Sequence, residues 1–283
     1  MGDRPEQQDR YHVIRPGRLQ QEHIAVFGVY DGQYYQDALQ NALKDQDAAL
    51  LATGMSQQGS TAAISILDTT RCLLVSADLG DSYVVLAEEQ PAEQQRWHVS
   101  RLSALQKPSS RVEQGRIEDA GGEINHTYGS ARVGASLQNR NLICTFMNPA
   151  DSSSGGLAMS RALGDMNLKQ PEIGETSDRQ QSVGDLKGET GVRRNSTVTT
   201  DLVSNEAHTT ARHLKGRNVL LLASDGIGET SDAEGATRHA AKCWEQGMSA
   251  HQIAQDLGRQ AMRLPAPDNC TIVLVFIDAD SGE

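Results

Sequence analysis

The stretch Val219–Gly226 reads VLLLASDG, a run of aliphatic residues that ends in a Ser-Asp-Gly turn around Asp225. A short Val- and Leu-rich run bounded by turn residues is typical of a buried β-strand. Two other stretches have the same design: VFGVYDG ends with Asp31 in its turn, and DNCTIVLVFI places Asp268 just before an apolar run. The sequence therefore predicts an aspartate at the end of each of these three buried strands.

Carboxylates at strand ends can be presented together at one edge of a rigid sheet. Carboxylates that converge without a counter-ion repel each other and raise each other's pKa, and a divalent cation relieves that repulsion. Mg²⁺ and Mn²⁺ prefer oxygen ligands. The pattern favours a Mg²⁺ or Mn²⁺ site built from Asp31, Asp225 and Asp268, with the carbonyl of Gly32 as a further ligand. The alternative is that each Asp-Gly or Asp-Asn pair is an ordinary turn, which is its commoner use when taken alone.

The rest of the chain is dominated by short β-like runs with helical periodicity between them. The predicted strands are His23–Tyr30, Arg71–Ala77, Ser82–Ala87, Arg96–Ser100, Asn218–Ala223 and Cys270–Ile277. The predicted helices are Tyr35–Leu51, Arg111–Ala120, Asp232–Glu245 and Ala250–Leu264. Strands joined by tight turns favour antiparallel pairing, and helices grouped near both ends of the chain favour an α+β sandwich over alternating βαβ units.

The last two helices carry capping-box patterns at their starts. Ser231 is the predicted N-cap of one, with Glu234 at the third helical position, and Ser249 with Gln252 has the same pattern in the other. In this motif the side chains of the two residues bond reciprocally to free backbone N–H groups.

Two stretches, Ala135–Ser154 and Asn167–Gly216, are predicted to be irregular because they are polar and lack periodicity. A loop as long as the second is typical of a functional flap or a mobile insertion. Neither an internal repeat nor a second-domain boundary is evident. Residues 1–283 are therefore predicted to form a single domain, with a flap over 167–216.

Composition excludes several classes of function. A net charge of −11 without a basic block argues against nucleic-acid binding, which needs a clustered positive field. No apolar run approaches the ~18 residues of a membrane span. Hydrophobic residues make up 37% of the chain, enough for a sizeable core. We expect a monomeric cytoplasmic protein, with the nucleus as the alternative location; a targeting extension upstream of Met1 would not be seen in this sequence.

Further motifs follow one another in a specific order along the chain. They are RPEQQD at Arg4–Asp9, GSTA at Gly59–Ala62, ADLGDSYVVL at Ala77–Leu86, RIEDAGGEI at Arg116–Ile124 and LAMSRALGD at Leu157–Asp165. Together with FGVYDG, LLLASDG and DNCTIVLV, this ordered set resembles the type 2C, metal-dependent protein phosphatases (the PPM family) from end to end. The resemblance implies a four-layer α-β-β-α sandwich of two antiparallel sheets flanked by helices.

The resemblance also implies roles for the aspartates. Asp31 would bridge two Mg²⁺ or Mn²⁺ ions, and Gly32 would offer its carbonyl. Asp225 and Asp268 would complete one metal site, and Asp9 would support the second ion directly or through water. A metal pair of this kind lowers the pKa of a bridging water and stabilises the charged transition state.

The implied substrates are phosphoserine and phosphothreonine proteins. Arg4 would bind the substrate phosphate as a charge-assisted clamp. Because an activated water attacks phosphorus directly, neither a serine nor a cysteine nucleophile is needed. Arg4 and Asp31 are thus the predicted catalytic residues.

The sequence departs from the family pattern at several positions. Gln33 replaces a histidine assigned as general acid, and an amide cannot deliver a proton. Leu105, in RLSALQKP, replaces an aspartate that binds a further ion, which puts a third metal site in doubt. Gly228 and Glu229 stand where Trp-Asp is common. Two functions therefore stay open: a metal-dependent phosphatase with weakened activity, and a pseudophosphatase that serves as a protein-binding scaffold.

Overall fold

The computed structural model describes residues 13, 24–25, 32–53, 58–90, 96–127, 129–135, 156–169, 200–263 and 268–279. The chain divides into two compact units. The first comprises Met1–Ala42, Ala62–Ala104 and Ala207–Glu283, and the second comprises Leu43–Thr61 and Leu105–Glu206. Within the described residues, none of the helices is long and apolar enough to cross a membrane.

Among its described residues, the first unit contains two four-stranded antiparallel sheets. One has the order β1-β3-β4-β10 and consists of Ile24–Ala25, Ala62–Asp68, Leu73–Leu79 and His208–His213. The other has the order β12-β11-β5-β6 and consists of Ile272–Asp278, Arg217–Ala223, Tyr83–Glu89 and Trp97–Arg101.

The core of this unit lies between the two sheets. Leu74 of β4 packs there with Leu86 of β5 and Leu220 of β11, and all three side chains are buried. The aliphatic runs of the sequence supply these contacts, because alternate residues of a strand face the same side of its sheet. Burial of a Leu side chain contributes about 1.5–3 kcal/mol, so each of these three residues stabilises the unit.

Helices cover the outer faces of both sheets. Helices α3 (Thr230–Glu245) and α4 (Ala250–Ala261) pack against the β12-β11-β5-β6 sheet through a shared apolar cluster. On the other sheet, Tyr35 of α1 (Gly32–Ala52) donates its hydroxyl to Asp68 Oδ2 over 3.0 Å. Asp68 lies on the face of β3 opposite to the intersheet core. The predicted four-layer α-β-β-α sandwich of two antiparallel sheets is confirmed.

Among the described residues, the second unit contains residues 43–52 of α1, one further helix and two small strand pairs. Its elements are β2 (Gly59–Ser60), α2 (Arg111–Asp119), β7 (Gly122–Thr127), β8 (Ser130–Ala135), β9 (Leu163–Gly164) and a 3₁₀ turn (Met166–Leu168). Its apolar core includes Ile117, Val133 and Leu202. A buried ion pair joins Lys169 Nζ to both carboxylate oxygens of Asp47 at 2.9 Å.

One of the two predicted caps is wrong. The helix α3 begins at Thr230, and its N-cap is Glu229 rather than Ser231. Glu229 donates its backbone N–H to Asp232 Oδ2 over 2.8 Å, so the reciprocal bond forms two residues earlier than predicted. The Ser249 cap of α4 is confirmed: the Ser249 N–H donates to Gln252 Oε1 over 3.0 Å.

Several strands were not predicted from the sequence: β3, β7, β8 and β10. The strand β10 lies within Asn167–Gly216, so the prediction that this stretch is irregular is wrong at His208–His213. Its sequence HTTARH lacks an aliphatic run, and the strand forms because its backbone pairs with the buried strand β4. Most of the two predicted irregular stretches lies outside the described residues, as does most of the predicted strand His23–Tyr30.

Candidate metal centre

The predicted site residues are placed by the structure to different extents. Arg4, Asp9 and Asp31 lie outside the described residues. Gly32 is the first residue of α1. The remaining two predicted ligands lie in the first unit and are described below.

Asp225 and Asp268 lie at the same end of one antiparallel strand pair. The last residue of β11, Ala223, is paired with the first residue of β12, Ile272. The pairing continues beyond both strands, where the Ser224 N–H donates to the Thr271 carbonyl over 3.1 Å and the Thr271 N–H donates to Ser224 Oγ over 3.0 Å. Asp225 therefore follows β11, and Asp268 precedes β12, at the same end of this strand pair. The sequence predicted both of these positions.

Gly226 allows the two turns to pack directly on each other. A Cβ atom at this position would lie 1.9 Å from the Asn269 carbonyl oxygen, a distance that no side chain tolerates. The 3₁₀ turn Asp225–Ile227 is closed by a bond from the Gly228 N–H to the Asp225 carbonyl at 2.9 Å. Glycine is thus required here because the two backbones approach closely. Its lack of a side chain lets the Asp225 turn pack against Asn269.

The donor set at this edge fits a hard divalent cation. The Asp225 side chain is exposed, and the Asp268 side chain is half-buried with Oδ1 accepting the Asn269 N–H over 2.7 Å. Asn269 is only 3% exposed, and neither its Oδ1 nor its Nδ2 has a partner among the described residues. Oxygen donors of this kind suit Mg²⁺ and Mn²⁺.

The described residues alone do not complete such a site. Among them, no group of three or more His, Cys, Asp or Glu side chains has a metal-binding arrangement. The two described carboxylates therefore need at least one further ligand, and Asp31 is the predicted one.

Leu105 lies in the irregular segment that follows β6 and is 46% exposed. The Leu105 side chain therefore does not pack within a sheet. An exposed aliphatic side chain supplies no oxygen ligand. Glu229, at another departure from the family pattern, is exposed and caps α3.

Sequence reasoning missed a buried carboxylate in the first unit. Asp78, in β4, is 2% exposed and accepts hydrogen bonds from His208 Nδ1 at 2.9 Å and from the Ala104 N–H at 3.0 Å. Burial raises the pKa of Asp78, and the bond from His208 opposes that rise. The residue is part of the quoted motif ADLGDS, but its burial depends on a pairing with β10 that the sequence did not reveal.

In the second unit, ion pairs hold the LAMSRALGD motif. Arg161 Nε donates to Glu113 Oε1 over 3.0 Å, and Arg116 Nε donates to Glu113 Oε2 over 3.2 Å. Burial opposes ionisation of Glu113, but its interactions with Arg161, Ser160 and Arg116 together lower the pKa of this carboxyl. Two arginines thus share one buried carboxylate, which fixes the motif relative to α2.

The last residue of that motif is strained and titrates unusually. Asp165 has a left-handed backbone with φ 50°, and a Cβ atom on Gly59 would lie 1.9 Å from its Oδ2. Burial raises the pKa of Asp165 from 3.8 to about 6; Lys169 lowers it and Asp47 raises it further.

We expect Asp165 to make the stability of the protein depend on pH. Because the folded state holds this proton more tightly than the unfolded chain, its contribution is complete below about pH 3.8 and is lost as the pH rises through about 6. Urea unfolding of the wild type and of Asp165→Asn between pH 4 and 7 measures it. The free energy of unfolding should fall between pH 4 and 7 in the wild type more than in the variant. Parallel pH profiles of the two proteins would show that Asp165 is not the titrating group.

Comparisons with known proteins agree with the motifs and the fold. A sequence model of the family "Protein phosphatase 2C" matches residues 27–270. Probable protein phosphatase 2C 9 of Arabidopsis thaliana is 26% identical over 298 residues, covering 94% of this chain and 82% of that protein. Probable protein phosphatase 2C 45 of Oryza sativa subsp. japonica is 30% identical over 206 residues, covering 62% of each chain.

Solved structures show the same fold. A sex-determining protein of C. elegans superposes with a TM-score of 0.63 at 20% identity, covering 97% of this chain and 62% of that one. A serine-threonine phosphatase 2C from Toxoplasma gondii superposes with a TM-score of 0.59 at 19% identity, covering 87% of this chain and 68% of that one. Identity at this level shows the fold alone, and it is the family match over residues 27–270 that decides membership. The chain belongs to the protein phosphatase 2C family.

Proposed function

We propose that this chain is a Mg²⁺- or Mn²⁺-dependent protein serine/threonine phosphatase that hydrolyses phosphoserine and phosphothreonine proteins with weakened activity. Membership of a family of protein phosphatases supports the reaction class. The observation that carries the proposal is the shared position of Asp225 and Asp268 at one end of the β11–β12 pair. Gly226 holds their two turns in direct contact.

In this proposal Asp225 and Asp268 bind one divalent ion together with Asp31 and the carbonyl of Gly32. Asp31 and Asp9 would hold a second ion. When bound, the ions supply Lewis acidity and offset the negative charge that develops on the phosphoryl group. The carboxylates would hold the ions. Because backbone hydrogen bonds already fix this end of the strand pair, the carboxylates need little reorganisation to bind.

Arg4 is proposed to bind the substrate phosphate through its planar guanidinium, a geometry that matches phosphate oxygens. The Gln33 amide is too weak an acid to act as a general acid, so the leaving serine or threonine oxygen would take its proton from water. Both features are compatible with slow hydrolysis. The chain is further proposed to act as a monomeric cytoplasmic or nuclear domain over residues 1–283, with a flap within 167–216.

A second candidate function is a pseudophosphatase that keeps the sandwich and binds a partner protein. The exposed side chain of Leu105 favours it, because the segment that should supply a carboxylate presents an apolar surface instead. A scaffold of this kind would bind phosphoproteins or their partners without turnover.

A Mn²⁺ titration of phosphothreonine-peptide hydrolysis separates the two functions. We expect turnover that rises with Mn²⁺ and saturates, because the ions bind a limited set of carboxylates. Addition of excess EDTA should return the rate to background. Hydrolysis that is undetectable at every Mn²⁺ concentration would exclude the phosphatase and favour the scaffold.

We expect Leu105→Asp to raise turnover at saturating Mn²⁺ about tenfold, which corresponds to ~1.4 kcal/mol of transition-state stabilisation. The side chain at this position is exposed, so a new carboxylate there stays hydrated and the melting temperature should change little. Leu105→Asn has the same size without the charge and is the matched control. Equal turnover of the two variants would show that a missing carboxylate is not what slows the enzyme.

A further inference from the structure

Tyr83 contacts the turn that carries Asp225. It is the first residue of β5, is 3% exposed, and lies opposite Ala223, the last residue of β11. Its hydroxyl donates a hydrogen bond to the Gly228 carbonyl over 3.1 Å. The Tyr83 side chain thus connects the paired ends of β5 and β11 to Gly228, the residue that follows the Asp225 turn.

The carbonyl that Tyr83 binds lies just beyond the 3₁₀ turn Asp225–Ile227. Carbonyls at the end of a helical turn lack a partner within that turn and must be satisfied from outside. Gly228 has φ 111°, a conformation that L side chains rarely adopt, so the chain reverses sharply at this residue. The Tyr83 hydroxyl therefore fixes the position of Gly228, which connects the 3₁₀ turn to α3.

Arg101 holds the phenol ring in place. Its Cζ lies 4.9 Å from the centroid of the Tyr83 ring, within the range of a cation–π contact. The guanidinium is fixed in turn, because Nε donates to Ser103 Oγ and Nη2 donates to the Ala104 carbonyl, both over 3.0 Å. A cation on the face of a phenol withdraws electron density from the ring, which makes the hydroxyl a better donor.

The Asp225 turn is thereby held from three directions. Gly226 packs on the Asn269 carbonyl, and Gly228 packs against the Asp232 side chain, where a Cβ atom would lie 2.5 Å from Oδ2. Tyr83 adds the third contact. Of the three, it is the one that can be abolished by deleting a single hydroxyl group, without adding an atom.

We infer that Tyr83, braced by Arg101, is a positioning residue that orients the Asp225 turn for metal binding. The inference rests on the proposed function, since it assigns Asp225 to the cation. Tyr83 does not touch the ion in this scheme; it restricts the turn so that the carboxylate is held in its binding orientation before the ion arrives. Residues that orient a ligand from behind typically change metal affinity 10–100-fold when they are removed.

The test compares Tyr83→Phe with a matched loss of a buried hydroxyl elsewhere in the same unit. Ser65 Oγ and Ser76 Oγ share a 2.8 Å hydrogen bond between β3 and β4, and Ser65→Ala removes it. Mn²⁺ calorimetry, thermal melting without metal, and amide hydrogen exchange of residues 224–229 are measured on the full chain. Both variants should lose a few degrees of melting temperature.

Only Tyr83→Phe should raise the Mn²⁺ dissociation constant, by about tenfold. Its kcat at saturating Mn²⁺ should stay close to that of the wild type. Exchange of residues 224–229 in the metal-free protein should accelerate in Tyr83→Phe and stay unchanged in Ser65→Ala. Unchanged Mn²⁺ affinity and unchanged exchange in Tyr83→Phe would overturn the inference.

Failure of the proposed function gives a different result. A wild-type chain that binds no Mn²⁺ contradicts the metal site, whereas exchange in the metal-free variants still decides whether Tyr83 orders the turn. Faster exchange confined to Tyr83→Phe would then support the anchoring role without the metal, and equal exchange in both variants would overturn it.

Discussion

Asp225→Asn is expected to lower phosphothreonine-peptide hydrolysis at least about 100-fold, which corresponds to ~2.7 kcal/mol of lost transition-state stabilisation. The substitution keeps the size and shape of the side chain but removes its charge. The Asp225 side chain is exposed beside the end of the β11–β12 pair, and an amide of the same shape fits the same space. The loss should therefore fall on Mn²⁺ binding and on turnover, with little change in melting temperature.

The same strand pair provides the control for this variant. Asp278 lies opposite Arg217 at the other end of the β11–β12 pair, and its side chain is exposed. Asp278→Asn removes the same charge from the same sheet, far along the strands from Asp225, and should leave Mn²⁺ affinity and hydrolysis unchanged. Equal losses in the two variants would mean that net charge, and not the metal site, controls activity.

Gly226→Ala is expected to destabilise the protein by about 1–3 kcal/mol and to abolish Mn²⁺ binding. A methyl group at this position would lie 1.9 Å from the Asn269 carbonyl oxygen, so the two turns must separate to admit it. Separation moves the Asp225 and Asp268 carboxylates apart. Urea unfolding and Mn²⁺ calorimetry measure the two effects.

Gly235→Ala is the matched control because it adds the same methyl group in a helix of the same unit. A Cβ atom at Gly235 in α3 has no neighbour within 4 Å. Alanine is favoured over glycine inside a helix, so this variant should gain about 0.5–1 kcal/mol of stability and keep its Mn²⁺ affinity. Normal Mn²⁺ binding by Gly226→Ala would show that contact between the turns is not needed for the site.

The strands β11 and β12 could be predicted because their sequences carry long aliphatic runs. Arg217–Ala223 and Ile272–Asp278 were found to within one or two residues, because burial selects Val, Ile and Leu there. The strands β7 and β10 were missed for the opposite reason. Their sequences GEINHT and HTTARH are mostly polar, and their strand structure comes from backbone pairing with a neighbour far along the chain or across a turn.

The candidate site could be predicted only in part. Asp225 and Asp268 follow from local patterns, since an aspartate in a turn beside a buried strand is visible in the sequence. The roles of Tyr83 and Asp165 were not predictable, because each depends on partners that are distant in the chain: Gly228 for Tyr83, and a buried neighbourhood for Asp165. Arg4, Asp9 and Asp31 stay predictions.

An anomalous difference map from a Mn²⁺-soaked crystal of the full chain tests the central claim most directly. We expect a manganese peak within coordination distance of carboxylate oxygens of both Asp225 and Asp268, with Asp31 as a further ligand. A manganese peak that touches neither Asp225 nor Asp268, or a map without a peak at this edge of the sheet, would contradict it.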